Sequence, residues 1–115
     1  MKIAVIGSRE GFTEEFVHKK LAENIESYMT YISGGARGVD SFAESFAKKN
    51  GYAIKIIKPI DPSSKIDYLF RNVEIITEAD KIIAFWSGVS SGTKFVIDYA
   101  KARNKDIIII KSGGD

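Results

Sequence analysis

Short runs of consecutive apolar residues alternate along this chain with longer segments whose apolar residues recur at every third or fourth position. The runs are Lys2 to Ile6, Met29 to Ile32, Ala53 to Ile57, Lys81 to Phe85 and Ile107 to Ile110. Apolar residues at adjacent rather than alternate positions mark strands covered on both faces. The segments between them read as helices. In the first, Thr13 can cap, Glu14 and Glu15 complement the helix dipole, and Phe12 can staple onto Val17. Val17, Leu21, Ile25 and Tyr28 continue its apolar stripe. In the second, Val39, Phe42, Ala43, Phe46 and Ala47 follow helical spacing until Lys48-Lys49-Asn50-Gly51 supplies a basic last turn and a terminating glycine. Pro59 and Pro62 stop the third strand, and Ile66, Leu69, Phe70, Val73 and Ile76 mark the third helix. Val96, Tyr99, Ala100 and Arg103 mark the fourth, with Ile97 at its margin.

Strand and helix thus alternate four times before a last strand. This predicts an α/β fold: a Rossmann-like open parallel five-stranded sheet with helices on both faces. Right-handed crossovers favour the strand order 3-2-1-4-5, with a switch point between strands one and four. Phe42, Phe46, Phe70 and Phe85 are expected in the core.

A chain of 115 residues fits one domain, read here as residues 1–111, and Ser112 to Asp115 is a polar tail expected to be disordered. Cysteine is absent, which excludes disulfides, thiolate metal sites and thiol nucleophiles. The single histidine, His18, sits beside Lys19 and Lys20 and reads as a surface residue. One histidine cannot build a histidine-based metal cluster, and no metal or cofactor is called for. No apolar run is long enough to cross a membrane, and Gly7-Ser8-Arg9 interrupts the first one, so a cytoplasmic protein without a membrane partner is expected. The net charge of +2 is too small to suggest a nucleic-acid coat, and nucleic acid is not expected as a partner.

The candidate chemistry lies where strands one, two and four end. Each is followed by a glycine-bearing turn: Gly7-Ser8-Arg9, Ser33-Gly34-Gly35-Ala36-Arg37-Gly38-Val39-Asp40, and Ser87-Gly88-Val89-Ser90-Ser91-Gly92-Thr93. A turn from strand to helix presents unpaired amides at the positive end of the helix dipole, which suits phosphate. In an open parallel sheet all such turns share the carboxyl edge. Three of them point to one pocket for a phosphorylated small molecule. Arg9 adds a guanidinium or pairs with Glu10 in solvent, and Arg37 can fork onto a phosphate. Asp40 accepts from a ribose hydroxyl or caps its own helix. Ser90, Ser91, Gly92 and Thr93 either cap the fourth helix or hold a phosphate. Arg71-Asn72 is a polar pair in an apolar stripe, either a solvated surface or a cation and an amide for the ligand. Trp86 closes strand four, where an indole could stack on a base. The turns match neither a Walker loop nor the dinucleotide-binding glycine fingerprint.

These residues carry a resemblance. Gly-Ser-Arg after the first strand, Ser33 to Asp40, Arg71-Asn72, Ala79-Asp80 before strand four and Ser91-Gly92-Thr93 after it resemble the SLOG superfamily. That superfamily includes the Smf/DprA DNA-processing proteins, the LOG phosphoribohydrolases and small stand-alone YspA/YpsA-like proteins. The last branch is the nearest in size and motif. The resemblance implies a Rossmann-like nucleotide-binding domain that commonly forms homodimers or higher homo-oligomers. It implies a nucleotide or NAD-derived ligand such as an ADP-ribose, bound as by a sensor or sequestering module. Gly7, Ser8, Arg9, Gly34, Gly35, Ala36, Arg37, Asp40, Arg71, Asn72, Trp86, Ser90, Ser91, Gly92 and Thr93 are the expected ligand-binding residues.

Two other functions compete. LOG enzymes carry a glutamate soon after the Gly-Thr of the third turn, whereas Gly92-Thr93 is followed here by Lys94-Phe95-Val96 and then Asp98. N-glycosidic hydrolysis of a nucleotide would need Asp40 or Asp98 as its working carboxylate, with Asp40 the candidate catalytic residue. Single-stranded DNA binding, as in DprA, requires a basic track with stacking aromatics and ranks last on these residues.

Overall fold

A computed structural model of the protein describes residues 1–24 and 29–111. Ile25 and Tyr28, assigned to the first apolar stripe, and the tail 112–115 lie outside the described residues. Five strands, β1 (Lys2–Gly7), β2 (Thr30–Ser33), β3 (Ala53–Ile56), β4 (Lys81–Trp86) and β5 (Asp106–Lys111), form one sheet in the order β3-β2-β1-β4-β5, all neighbours parallel. Four helices connect them: α1 (Glu14–Asn24), α2 (Val39–Lys49), α3 (Lys65–Glu78) and α4 (Ser91–Ala102). The Rossmann-like order expected from the alternation is the observed one. No helix is long and apolar enough to cross a membrane among the described residues.

Alternating side chains of each strand feed two cores. Ile3 and Val5 of β1 join Tyr31, Ile83 and Phe85 beneath α1 and α2, whose Val17, Leu21, Val39, Ala43, Phe46 and Ala47 complete the cluster. Ala4 and Ile6 face the other way, with Ile32, Ile82 and Ala84, against Ile75, Ile76, Val96, Ile97 and Ala100 of α3 and α4. Side chains at successive strand positions point to opposite faces, so continuous apolar runs are what two covered faces require. Thr13 caps α1 by accepting from the amide of Phe16 at 3.1 Å, and Phe12 packs edge-on against Phe85 at 5.5 Å.

Two expectations are corrected. Phe70 is 67% exposed, and Ile66 and Leu69 are exposed as well, because α3 turns a neighbouring stripe inward and buries Arg71, Ile75 and Ile76. His18 is not a free surface residue. Its Nε2 lies 2.9 Å from the carbonyl of Phe42 and 2.9 Å from Ser45 Oγ, so α1 and α2 are tied together through it. A carbonyl only accepts, so Nε2 carries the proton in that contact.

Candidate functional site

Between the carboxyl ends of β1, β2 and β4 and the first turns of α3 lies a cleft of about 820 Å³. β1 and β4 are adjacent in space although some 80 positions separate them in sequence, and their helices leave from opposite faces. The gap between those departures is the crevice that this strand order creates. Its lining includes Ser8, Arg9, Arg37, Asp40, Arg71 and Thr93.

The first and third turns are stitched together. Ser8 is buried; its hydroxyl donates to Ser87 Oγ at 3.2 Å and accepts from the Ser87 amide at 3.1 Å. Its amide bonds to the carbonyl of Phe85 at 3.0 Å. Ser8 therefore positions the cleft wall rather than offering a free hydroxyl. Gly7 abuts the side chain of Val39, which seats the first turn against α2. Ser87, the partner that makes this work, carried no sequence signal apart from its place in the third turn.

The second turn is braced from α3. Arg71 Nη1 donates to the carbonyl of Gly34 at 2.6 Å and to that of Ile57 at 3.4 Å, while Nε donates to Asn72 Oδ1 at 2.9 Å. A side chain on residue 34 would collide with this guanidinium, so glycine is what lets Arg71 reach the backbone. Arg71 is only 9% exposed. Burial pushes its guanidinium below its ordinary value, with Asp40 and Tyr68 opposing that shift. Arg71 and Asn72 are thus a brace along the cleft wall. Gly38 has φ 77°, a conformation that favours glycine, and a side chain there would strike the backbone carbonyl of Arg9. This close approach locks the second turn onto the first.

Asp40 lies in the first turn of α2, 7% exposed, and its Oδ2 accepts from the amide of Ala36 at 3.2 Å. Burial pushes its carboxyl up to about 6, while the Ala36 hydrogen bond and Arg71 pull the other way. The amide of Gly35 is taken by Ser33 Oγ at 3.2 Å, and Gly35 lies outside the cleft lining. Arg37 and Arg9 are exposed at the rim, and Arg37 Nη2 meets Glu10 Oε1 at 3.3 Å. The solvent ion pair considered for Arg9 and Glu10 is therefore one between Arg37 and Glu10.

The helix starts differ. Ser90 caps α4: its Oγ accepts from the Thr93 amide at 3.4 Å and donates to Thr93 Oγ1 at 3.2 Å. Gly92 and Thr93 line the cleft beside it, whereas Ser91 does not. α2 begins at Gly38 with no side-chain cap, and the amide of Val39 bonds instead to the carbonyl of Ser8 at 3.5 Å. Trp86 lies outside the lining; its indole N–H donates to the carbonyl of Ser90 at 3.1 Å and Lys111 Nζ sits 5.9 Å from its ring. Asp98, the other carboxylate considered, pairs with Lys94 at 2.7 Å and is also outside. Lys65, Tyr68, Leu69 and Val89 line the cleft without having been anticipated. Lys65, Tyr68, Leu69 and Asn72 are spaced i, i+3, i+4, i+7, so a second stripe on α3 was the available signal.

The arrangement is a cleft with cations at the mouth, one uncapped helix start, and an apolar and aromatic side formed by Tyr68, Leu69 and Val89. Such a surface has the chemistry to hold an anion joined to a planar or apolar group. A family model described as DNA recombination-mediator protein A matches residues 1–61, more than half of the chain, from β1 through the second turn and β3. The chain belongs to this family. A comparison with curated proteins finds no match.

Solved structures agree with the fold of the DNA recombination-mediator protein A family. DNA processing protein A from Streptococcus pneumoniae matches with a TM-score of 0.81 and 20% identity over 94% of this chain and 49% of its own. The Helicobacter pylori protein, described by its single-stranded DNA binding mode, matches with a TM-score of 0.76 and 22% identity over 95% of this chain and 64% of its own. The structural-genomics target TM1055 matches with a TM-score of 0.70 and 18% identity over 92% of this chain and 71% of its own. The chain therefore spans about half the length of the pneumococcal protein.

The expectation that nucleic acid is not a partner is overturned by this family membership and by the DNA-processing relatives. It rested on a net charge of +2, which says nothing about where charge is placed. Four cations (Arg9, Arg37, Lys65 and Arg71) line the cleft against two carboxylates (Glu10 and Asp40).

Proposed function

We propose that the cleft holds a nucleotide unit of single-stranded DNA, its phosphate at the mouth and its base against the α3 side. The observation that carries this reading is the concentration of arginine around an uncapped helix start, in a chain of a DNA recombination-mediator family. Arg9, Arg37 and the positive end of the α2 dipole take the phosphate. Tyr68, with Leu69 and Val89, takes the base; stacking of this kind contributes about 1–3 kcal/mol per base and tolerates any sequence. Arg71, Asn72, Ser8 and Ser87 keep the walls in place. Hydrolysis is not part of the proposal, since Asp40 is buried against the second turn and Asp98 is turned away.

A free nucleotide or an ADP-ribose-like molecule presents the same phosphate, sugar and base. This second reading is favoured by the cleft's size, about 820 Å³, which falls among small-molecule pockets. Fluorescence anisotropy of a labelled oligothymidine across a salt series separates the two. On the first reading binding weakens steeply with salt, and Arg37→Ala lowers affinity about tenfold and reduces the log–log salt slope by about 0.7. An unlabelled mononucleotide or ADP-ribose that displaces the oligonucleotide at micromolar concentration favours the second. If neither class of ligand binds, the cleft assignment is wrong.

A further inference from the structure

A cleft suited to anions has a buried carboxyl group in its wall. Asp40 and Arg71 both line it, and both are buried. A Cβ placed on residue 34 would sit 2.5 Å from Arg71 Nη1 and 3.0 Å from Asp40 Oδ2, so one glycine marks where the two side chains converge. They nevertheless form no ion pair with each other among the described residues. Each is pinned elsewhere: Arg71 Nη1 by the carbonyls of Gly34 and Ile57, Asp40 Oδ2 by the amide of Ala36. The guanidinium attracts the carboxylate without touching it. The other charged neighbours do not supply a contact cation either. Glu44, one turn further along α2, repels Asp40 and is itself held by the hydroxyl of Ser33 at 2.7 Å. Tyr68 and Lys65 share the α3 wall with Arg71, and Arg9 comes from the first turn. Arg37 and Glu10 pair with each other at the mouth, and Lys58 lies against Gly35.

We propose that an anionic guest enters this cleft together with a proton, which Asp40 takes up, so that the site holds its ligand more tightly as the medium becomes more acidic. The inference rests on the cleft holding a phosphate-bearing ligand, as proposed above, and adds how that binding is regulated. Two effects act on Asp40 in the same direction. The phosphate brings negative charge toward a carboxylate without a contact cation, and the body of the guest displaces water that solvates it. Both disfavour the ionised form. Arg71 opposes them, but the guest draws on the same positive charge. Burial places the Asp40 carboxyl at about 6 in the chain alone, and a guest moves it higher. Linkage fixes the sign. Below about pH 6 the proton is already in place and affinity is level. Above it binding must draw a proton from solution, and affinity falls with rising pH until the carboxyl of the complex ionises as well.

The probe is an unlabelled oligothymidine with hydroxyl ends, because a terminal phosphate has its own ionisation near pH 6, whereas a phosphodiester has none there. Isothermal titration calorimetry at constant ionic strength measures its affinity. If the guest raises Asp40 by about one unit, affinity falls about eightfold between about pH 5 and about pH 8. Titrations at about pH 6.5 in two buffers of different ionisation enthalpy are expected to show uptake of about half a proton per guest. Asp40→Asn is expected to bind with no such uptake and a flat profile. His18→Gln, which removes the single histidine from outside the cleft lining, is expected to keep both. Should Asp40→Asn not fold, proton uptake by the unaltered chain and by His18→Gln decides. Binding without proton uptake overturns this inference and leaves the cleft assignment standing, as does uptake that persists in Asp40→Asn or is lost in His18→Gln. Absence of binding at every pH overturns the cleft assignment and this inference with it.

Discussion

Asp40 sits against its own ionisation. Its carboxyl is nearly sealed from water, and burial raises it from an ordinary 3.8 to about 6 despite the Ala36 amide and the nearby Arg71 charge. The folded state therefore binds its proton more tightly than the unfolded chain does. That contribution is complete below pH 3.8 and is lost as the pH rises through 6, a swing on the order of 3 kcal/mol. Asp40→Asn keeps an oxygen for the Ala36 amide and removes the titration. Thermal melts at pH 4 and pH 7 are expected to differ less in this variant than in the unaltered chain. An unchanged pH profile would place the titrating group elsewhere. None of this was visible in the sequence. Asp40 could be seen to lie in a first helical turn, but its burial depends on Arg71 and Gly34, which arrive from other segments.

At the level of elements, α3 is the most instructive. Its sequence carries two overlapping apolar stripes, and periodicity cannot say which of them meets the sheet. The structure turns Ile75 and Ile76 inward, leaves Phe70 in solvent, and spends Arg71 on the carbonyls of Gly34 and Ile57. Two adjacent substitutions should therefore behave oppositely to what hydrophobicity suggests. Phe70→Ser is expected to change stability by no more than about 0.5 kcal/mol, as exposed substitutions do. Arg71→Met leaves two buried carbonyls without their donor and is expected to cost about 3 kcal/mol in urea denaturation. Comparable losses from the two would mean that Phe70 is covered. By contrast, α2 was legible, because Val39, Ala43, Phe46 and Ala47 form one unbroken stripe and all are buried. The third turn was legible only in part: Ser90 behaves as a cap, but Trp86 holds that turn from behind rather than facing the cleft.

Across the whole molecule, strand order was the most readable property, since alternating elements and right-handed crossovers leave few alternatives. Charge placement was the least readable, because a sum over the chain hides four cations gathered at one edge. The same edge has a mechanical side. Residues 1–61 supply β1, β2, β3 and the first two turns, while the third turn and α3 come from the remainder. The halves meet along the β1–β4 ladder and the Ser8–Ser87 contact, with the cleft directly over that seam. A guest lodged there touches both halves and acts as a rivet. Amide hydrogen exchange should then slow together in residues 34–40 and 87–93 when ligand is added, by about a hundredfold at 100 times its dissociation constant if those amides exchange through opening of the seam. Slowing confined to one segment would place the guest on a single side of the join.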